Sequence, residues 1–528
     1  MNTIFKKAGI VAAISAAILL PSCSDDDATP KDETLPDITL SSSATSTTVW
    51  NTVVLTASAT DDQGIDKIEI KIDGTSVGTS ATSPYEFSWD TQKISDGAHT
   101  ATAIVTDKSG NQKTAELALT VQNTLLEATV DADMLPLVGD YQSRGFIFLS
   151  DNDGKVIVAQ EFHNSDPITL KAPAFDGSEF SVTEVTTYSS DDDVYIVTTT
   201  HVSRGKWVLN VEDLTIGEPK PFLGEATLNF QNMQAGIDYG LRVTVGSGIT
   251  ITSASPTVKV NLRVNPSLLY VVSTDKTSQE KKYNVFPSIT IGTNTLDFSQ
   301  VNKSMLEETI TLPQGYSDAY IKIWGLRQAG NADEVYQIYN VSGFSDQSFT
   351  YAYPSNGFPG YYSTSEMYSD EYRAFNRIFK RNDVTPLDAT LNATLDKGKF
   401  TVAAFGNSMD AYSIDIEQPD QLWTFIASRT TLSITIPEIP SILKDIVSTD
   451  RSEATISIAA EDYTSITGYD GLISYIRTSS DGYYDLCFGE SVEAKFLTKE
   501  IDYTGGRKAN GKTSLRALGR SKSHTRKK

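Results

Sequence analysis

Few side chains in this 528-residue chain combine type and spacing in a way that does chemistry. The four histidines are His99, His163, His201 and His524. Two histidines and a carboxylate can hold a metal when they converge. His163 and His201, the two that could share a module, follow no known ligand spacing and read as partly exposed strand or loop residues. Cys487 sits in Tyr484-Asp485-Leu486-Cys487-Phe488, with apolar neighbours and no nearby histidine. That setting predicts a buried thiol and not a nucleophile. Asp151-Asn152-Asp153-Gly154 imitates the start of a calcium loop. Its twelfth position falls on Phe162, with Glu161 one place short, and strand-like runs flank it, so it reads as a turn. HExxH and GxGxxG patterns are absent. Glycoside hydrolysis needs two carboxyl groups about 5–10 Å apart, and 67 acidic residues offer no way to single out a pair. The densest feature is aromatic. Tyr351, Tyr353, Phe358, Tyr361, Tyr362, Tyr368 and Tyr372 crowd together beside Gly357 and Gly360. Exposed aromatic faces take sugar rings, and tyrosine adds a hydrogen-bonding tip. Tyr361, Tyr362 and Tyr368 are therefore the candidate ligand-binding residues. The competing reading is a long loop that packs its own aromatics onto a sheet. No catalytic residue, metal ligand or cofactor is expected.

The elements that must position these residues are strands. In residues 37–122, Val53, Leu55, Ala57 and Ala59 alternate with Thr and Ser; Ile68, Ile70 and Ile72 alternate with Glu69 and Lys71 and stop at Asp73-Gly74. Tyr85, Phe87 and Trp89, then Ala101, Ala103 and Val105, then Leu117, Leu119 and Val121 repeat the pattern. Period-two alternation with frequent turns predicts an antiparallel sandwich, with Trp89 as its buried aromatic. Asp61, Asp62, Asp107 and Asn111 carry the oxygens a Ca²⁺ site uses, though polar loop tips account for them as well. Beyond residue 123 the same idiom continues: hairpins over 146–162 and 180–200, a strand at 207–209, and further strands at 258–264, 268–272, 319–324, 335–341, 349–353, 399–405, 423–427, 432–436, 454–459 and 492–496. Residues 351–379 read as irregular, and 370–379 and 440–446 are the helical candidates. Glu218-Pro219-Lys220-Pro221 breaks the pattern, and Thr385-Pro386 marks a weaker boundary. The expectation is an all-β chain of several antiparallel β-sandwich modules in tandem: 37–122, 124–217, 222–384 with a Tyr-rich insertion, and 387–504.

The ends of the chain address it. Lys6 and Lys7 precede Ala8–Leu20, an apolar run broken only by Ser15. Thirteen helical residues rise about 20 Å, too short for a hydrocarbon core of about 30 Å, so residues 1–22 read as a signal peptide. Leu20-Pro21-Ser22-Cys23 resembles the lipobox of bacterial lipoproteins, which implies a lipidated Cys23 and a stable membrane anchor. Ser24-Asp25-Asp26-Asp27 resembles the acidic export tag of Gram-negative lipoproteins on the outer face of the outer membrane, and 23–36 reads as a flexible tether. Residues 23–504 carry 33 basic and 67 acidic side chains, a net −34, while 505–528 carry nine basic and none acidic. Such a body is repelled by phosphate backbones, which argues against nucleic acid as a partner. The basic tail reads as disordered.

The first module has a closer likeness. Ala59-Thr60-Asp61-Asp62 with Gly64-Ile65, the 68–74 strand and turn, Ser83-Pro84-Tyr85 leading to Trp89, Asp96-Gly97-Ala98-His99, and Thr106-Asp107-Lys108-Ser109-Gly110-Asn111 occur in order. Together they resemble the bacterial Ig-like domain family of cell-surface proteins. That resemblance implies a spacer or adhesive role without catalysis. The reading is a lipid-anchored, surface-exposed multidomain β protein that binds or adheres, with an extracellular glycan or protein as target. An all-β glycan hydrolase and a structural spacer are the alternatives.

Overall fold

The computed structural model describes residues 32–135, 137–138, 141–188, 193–209, 221–244, 248–344, 346–479, 483, 486–487 and 492–501. The signal segment, Cys23, most of the 218–221 break and the basic tail lie outside the described residues. The chain divides into two compact units after Gln122.

The first unit is a two-sheet sandwich. One sheet orders Asp37–Ser42, Thr52–Thr60 and Tyr85–Asp90. The other orders Thr48–Val49, Gln112–Val121, Gly97–Asp107, Ile65–Ile72 and Thr75–Ser80. The alternating residues meet as expected: Val53, Leu55 and Ala57 pack with Ile68, Ile70, Ala103, Val105 and Trp89 in one core. Asp73 and Gly74 both take positive φ, 48° and 78°, the conformation a two-residue hairpin turn requires.

The second unit departs from the tandem arrangement. A twelve-stranded sheet draws strands from all three segments expected as separate modules. In spatial order these are Val156–Phe162, Arg144–Ser150, Glu179–Tyr188, Asp193–Ser203, Gln421–Ser428, Ala411–Gln418, Thr455–Tyr463, Ala494–Ile501, Arg373–Ile378, Gly360–Ser369, Tyr316–Gln328 and Asn331–Phe344. The junction is a parallel pairing of Val194–Thr199 with Gln421–Ile426. Residues more than 200 positions apart meet there, and no local pattern announces such a contact.

This sheet is buried on both faces near that junction. Phe146 and Phe148 turn to one side with Ile196, Ile414, Trp423 and Phe425. There they meet the small sheet of Ala389–Asp396, Lys399–Gly406 and Ser433–Thr435. Ile147 and Leu149 turn to the other side. That side is covered by the sheet of Thr124–Val130, Pro167–Lys171 and Gly205–Leu209 and by a helix, Gly468–Thr478. A sandwich built from residues 224–311 and Ser348–Pro354 completes the unit, with Leu228, Leu241, Leu262, Leu269 and Ile289 at its centre.

Three local expectations change. The segment 370–379 is not helical: Arg373–Ile378 is a strand in which Ala374, Asn376, Arg377 and Ile378 are buried. Residues 440–446 hold only a 3-10 turn, Ser441–Leu443. The Tyr-rich stretch is not an irregular loop but three strands, Ser348–Pro354, Gly360–Ser369 and Arg373–Ile378. The α-helix Gly468–Thr478 carries no clear sequence signal, because Gly468, Gly471 and Ser474 dilute its apolar stripe of Leu472, Ile473 and Ile476.

Candidate functional site

Toward its Asn331–Phe344 edge the long sheet leaves one face uncovered. Within Tyr316–Gln328 the segment 318–324 alternates: Ala319, Ile321 and Ile323 are buried, while Asp318, Tyr320, Lys322 and Trp324 point outward. On the neighbouring Gly360–Ser369, Ser363, Ser365 and Met367 are buried, and Tyr362, Thr364, Glu366 and Tyr368 share the outward face. Register sets Trp324 opposite Tyr362, Lys322 opposite Thr364 and Tyr320 opposite Glu366. The result is two aromatic pairs on one face. Trp324 and Tyr362 lie 5.2 Å apart at 34°; Tyr320 and Tyr368 lie 6.0 Å apart, edge to face at 75°. Trp324 and Tyr320 are four residues apart, about 13 Å along a strand. Tyr320 is 41% exposed, Trp324 and Tyr368 are half-buried, and Tyr362 is the buried floor beneath Trp324 and Phe379.

Polar groups frame the lower pair. Glu366 is bound by the Arg373 guanidinium and takes the hydroxyl of Tyr368. Arg373 also lies 5.3 Å from the centroid of the Tyr368 ring. Burial, and then the hydrogen bond to Glu366, push the Tyr368 phenol up, so it stays a donor in the physiological range. Tyr368 is thus fixed at both its tip and its face.

Tyr361 belongs to the opposite face. Its hydroxyl donates to the Pro354 carbonyl at 2.7 Å. Its ring stands perpendicular to that of Tyr353, 6.3 Å away. Arg381 lies 3.8 Å from the Tyr353 centroid and 5.0 Å from that of Tyr361. The guanidinium Nε meets Glu308 at 2.7 Å, and Tyr351 donates to the same carboxylate at 2.7 Å. Burial raises the Glu308 carboxyl, but hydrogen bonds from Arg381 and Tyr351 outweigh it and hold the group below its usual range. Of the three candidate tyrosines, Tyr362 and Tyr368 lie on one face of their strand, six residues apart, and Tyr361 lies on the other.

The remaining chemistry-bearing residues are placed as follows. His99 lies between Asp73, 2.6 Å from Nδ1, and the Ser95 carbonyl, 2.8 Å from Nε2. His163 meets Asp166 at 3.2 Å, and His201 stands on its own strand at φ 53°; the two do not converge with a carboxylate into a metal set. Asp151 accepts from the backbone N–H of Asp153 and Lys155, closing a turn. The Asp107 carboxylate is occupied by Ser109 and Asn111. Among the described residues, the set of three carboxylates able to hold a cation is Asp32, Asp61 and Asp62, whose oxygens lie within 4.8 Å of one another.

A buried polar knot was not anticipated. Glu461 accepts hydroxyls from Tyr463 at 2.9 Å and Tyr483 at 2.6 Å. Cys487 lies 3.5 Å from the Tyr463 hydroxyl. Arg377 donates only to backbone carbonyls there, those of Leu486, Cys487 and Val492. Burial raises both the Glu461 carboxyl and the Cys487 thiol. A thiol held protonated is a poor nucleophile.

Residues 36–103 match the bacterial Ig domain family, so the first unit contains a domain of that class. No curated protein matches the chain. Similar solved structures include the fibronectin(III)-like modules of Clostridium thermocellum CbhA, 22% identical, covering 16% of this chain and 93% of that one, TM-score 0.14. Another is SGBP-B of the Bacteroides ovatus mixed-linkage glucan utilization locus, in complex with a mixed-linkage heptasaccharide. It is 10% identical, covering 61% and 93%, TM-score 0.16. A tetra-tandem repeat from the extending region of a large adhesion protein is 11% identical, covering 80% and 95%, TM-score 0.13.

Proposed function

We propose that this multidomain β protein is a lipid-anchored surface protein that binds glycan on the outward face of strands Tyr316–Gln328 and Gly360–Ser369. The carrying observation is the pair of aromatic couples, Trp324–Tyr362 and Tyr320–Tyr368, on one sheet face, where Tyr320 is exposed, Trp324 and Tyr368 are half-buried and Tyr362 is buried behind Trp324. Flat rings on a rigid sheet offer stacking surface at low entropic cost, and the side chains between them supply hydrogen bonds. The lipobox at Cys23 supports the anchor, and the acidic tether and Ig domain support a role in holding that face away from a membrane.

Two experiments test this. A glycan array probed with the full chain should return bound glycans, and Trp324→Ala should weaken them. An aromatic contact of about 0.5–1.5 kcal/mol corresponds to a loss of about two- to twelvefold. An array without binders overturns the glycan reading. For the anchor, palmitate should label the wild-type chain in cells and not Cys23→Ser; label retained on the variant overturns it.

A further inference from the structure

We propose that the aromatic face selects acidic glycans, through the ammonium group of Lys322; this rests on the glycan-binding reading above. Lys322 projects from the middle of the outward face, exposed, two residues from Tyr320 on one side and two from Trp324 on the other. Its cross-strand neighbours are Thr364 and Asn340, both uncharged. Among the described residues it makes no ion pair, as is true of other exposed lysines of this unit such as Lys281 and Lys399; its distinction is its place between Tyr320 and Trp324. The acid diagonally across from it, Glu366, is already neutralised by Arg373 and bonded by Tyr368. Asp318 sits four residues away along the strand, beyond Tyr320.

The charge setting makes this placement consequential. Residues 23–504 carry a net −34, which repels anionic polymers at long range. Within about a Debye length of 8–10 Å the local cation dominates. A sugar chain lying across the two aromatic pairs passes over Lys322. A carboxylate on one of its rings gains a charge-assisted hydrogen bond there. A neutral sugar gains only the stacking and hydroxyl contacts. The selectivity device is then one unmatched lysine set between stacking rings, flanked by Thr364 and Asn340, which donate to or accept from ring hydroxyls without competing for the charge.

The test uses the full chain and three acidic polymers, polygalacturonate, alginate and hyaluronan, each beside its carboxyl-reduced form. At least one acidic polymer should bind about three- to tenfold tighter than its reduced partner at low salt. That preference should shrink in 0.5 M NaCl. Lys322→Gln should erase the preference, bringing the acidic form to the affinity of its reduced partner, and Lys322→Glu should reverse it. Trp324→Ala should weaken both forms together. Equal binding of every acidic polymer and its reduced form overturns the proposal, as does a preference that survives Lys322→Gln. If neutral glycans alone bind, and bind through Trp324, selectivity falls while the glycan reading stands. If no glycan of any kind binds, both fall. An unchanged melting temperature in the exposed Lys322 variants separates lost recognition from lost folding.

Discussion

At the scale of single residues, adjacent positions in one strand do opposite work. Tyr361 and Tyr362 are neighbours in sequence, and the pleat sends them to different faces. Tyr361 closes a knot with Pro354, Tyr353 and Arg381. Tyr361→Phe should therefore cost about 1 kcal/mol of stability in urea unfolding and leave glycan affinity unchanged. Asp415 gives a pH signature. It is half-buried, and Thr424 donates to it at 2.7 Å. Burial chiefly, with the neighbouring charges of Glu461 and Glu417, pushes its carboxyl from 3.8 up to about 7. An acid whose folded pKa is raised stabilises the fold fully below the unfolded value, and that stability is lost as pH rises through the folded value. Wild type should lose stability between about pH 4 and pH 7 relative to Asp415→Asn, which has no proton to release. Melting curves across that range check it; a constant gap between the two proteins would show that Asp415 titrates normally in the fold.

At the scale of elements, the strands were legible and their partners were not. Alternation marked the runs at 319–324 and 399–405, because one buried face imposes period two, and the continuous apolar run at 146–149 marked a strand buried on both faces. The same alternation in Asp318–Trp324 held the missed signal: two outward aromatics, Tyr320 and Trp324, flanking Lys322. The tyrosines downstream are denser, but a count of rings does not say which face each takes. The helix Gly468–Thr478 was hidden by its glycines, and its anchor comes from far away in sequence. The Asp410 carboxylate accepts the N–H of Gly468 at 2.6 Å and of Tyr463 at 2.9 Å. Asp410→Ala should strip the first helical turn of its acceptor and cost about 1–2 kcal/mol, read as a lower urea midpoint with an unchanged slope.

At the scale of the whole molecule, all-β character and the Ig-like first unit followed from sequence, while the long sheet did not. Pairings such as Thr198 with Phe425 close loops of over 200 residues, and local patterns carry no information about them. This arrangement predicts how fragments behave. Residues 32–122 hold a complete core and should unfold cooperatively on their own. A fragment ending at residue 384 lacks Gln421–Ser428, Ala411–Gln418 and Thr455–Tyr463, the centre of the twelve-stranded sheet, and should not show cooperative unfolding in its second unit. A sharp melt from that second unit would restore the tandem-module view. The central claim is that the aromatic sheet face is where glycan lands. Its most direct measurement is titration calorimetry of an array-selected oligosaccharide against the full wild-type chain, the Tyr320→Ala/Trp324→Ala double variant and Tyr361→Phe. The double variant should bind at least tenfold more weakly with its fold intact, and Tyr361→Phe should bind as wild type does. Full affinity in the double variant would contradict the account.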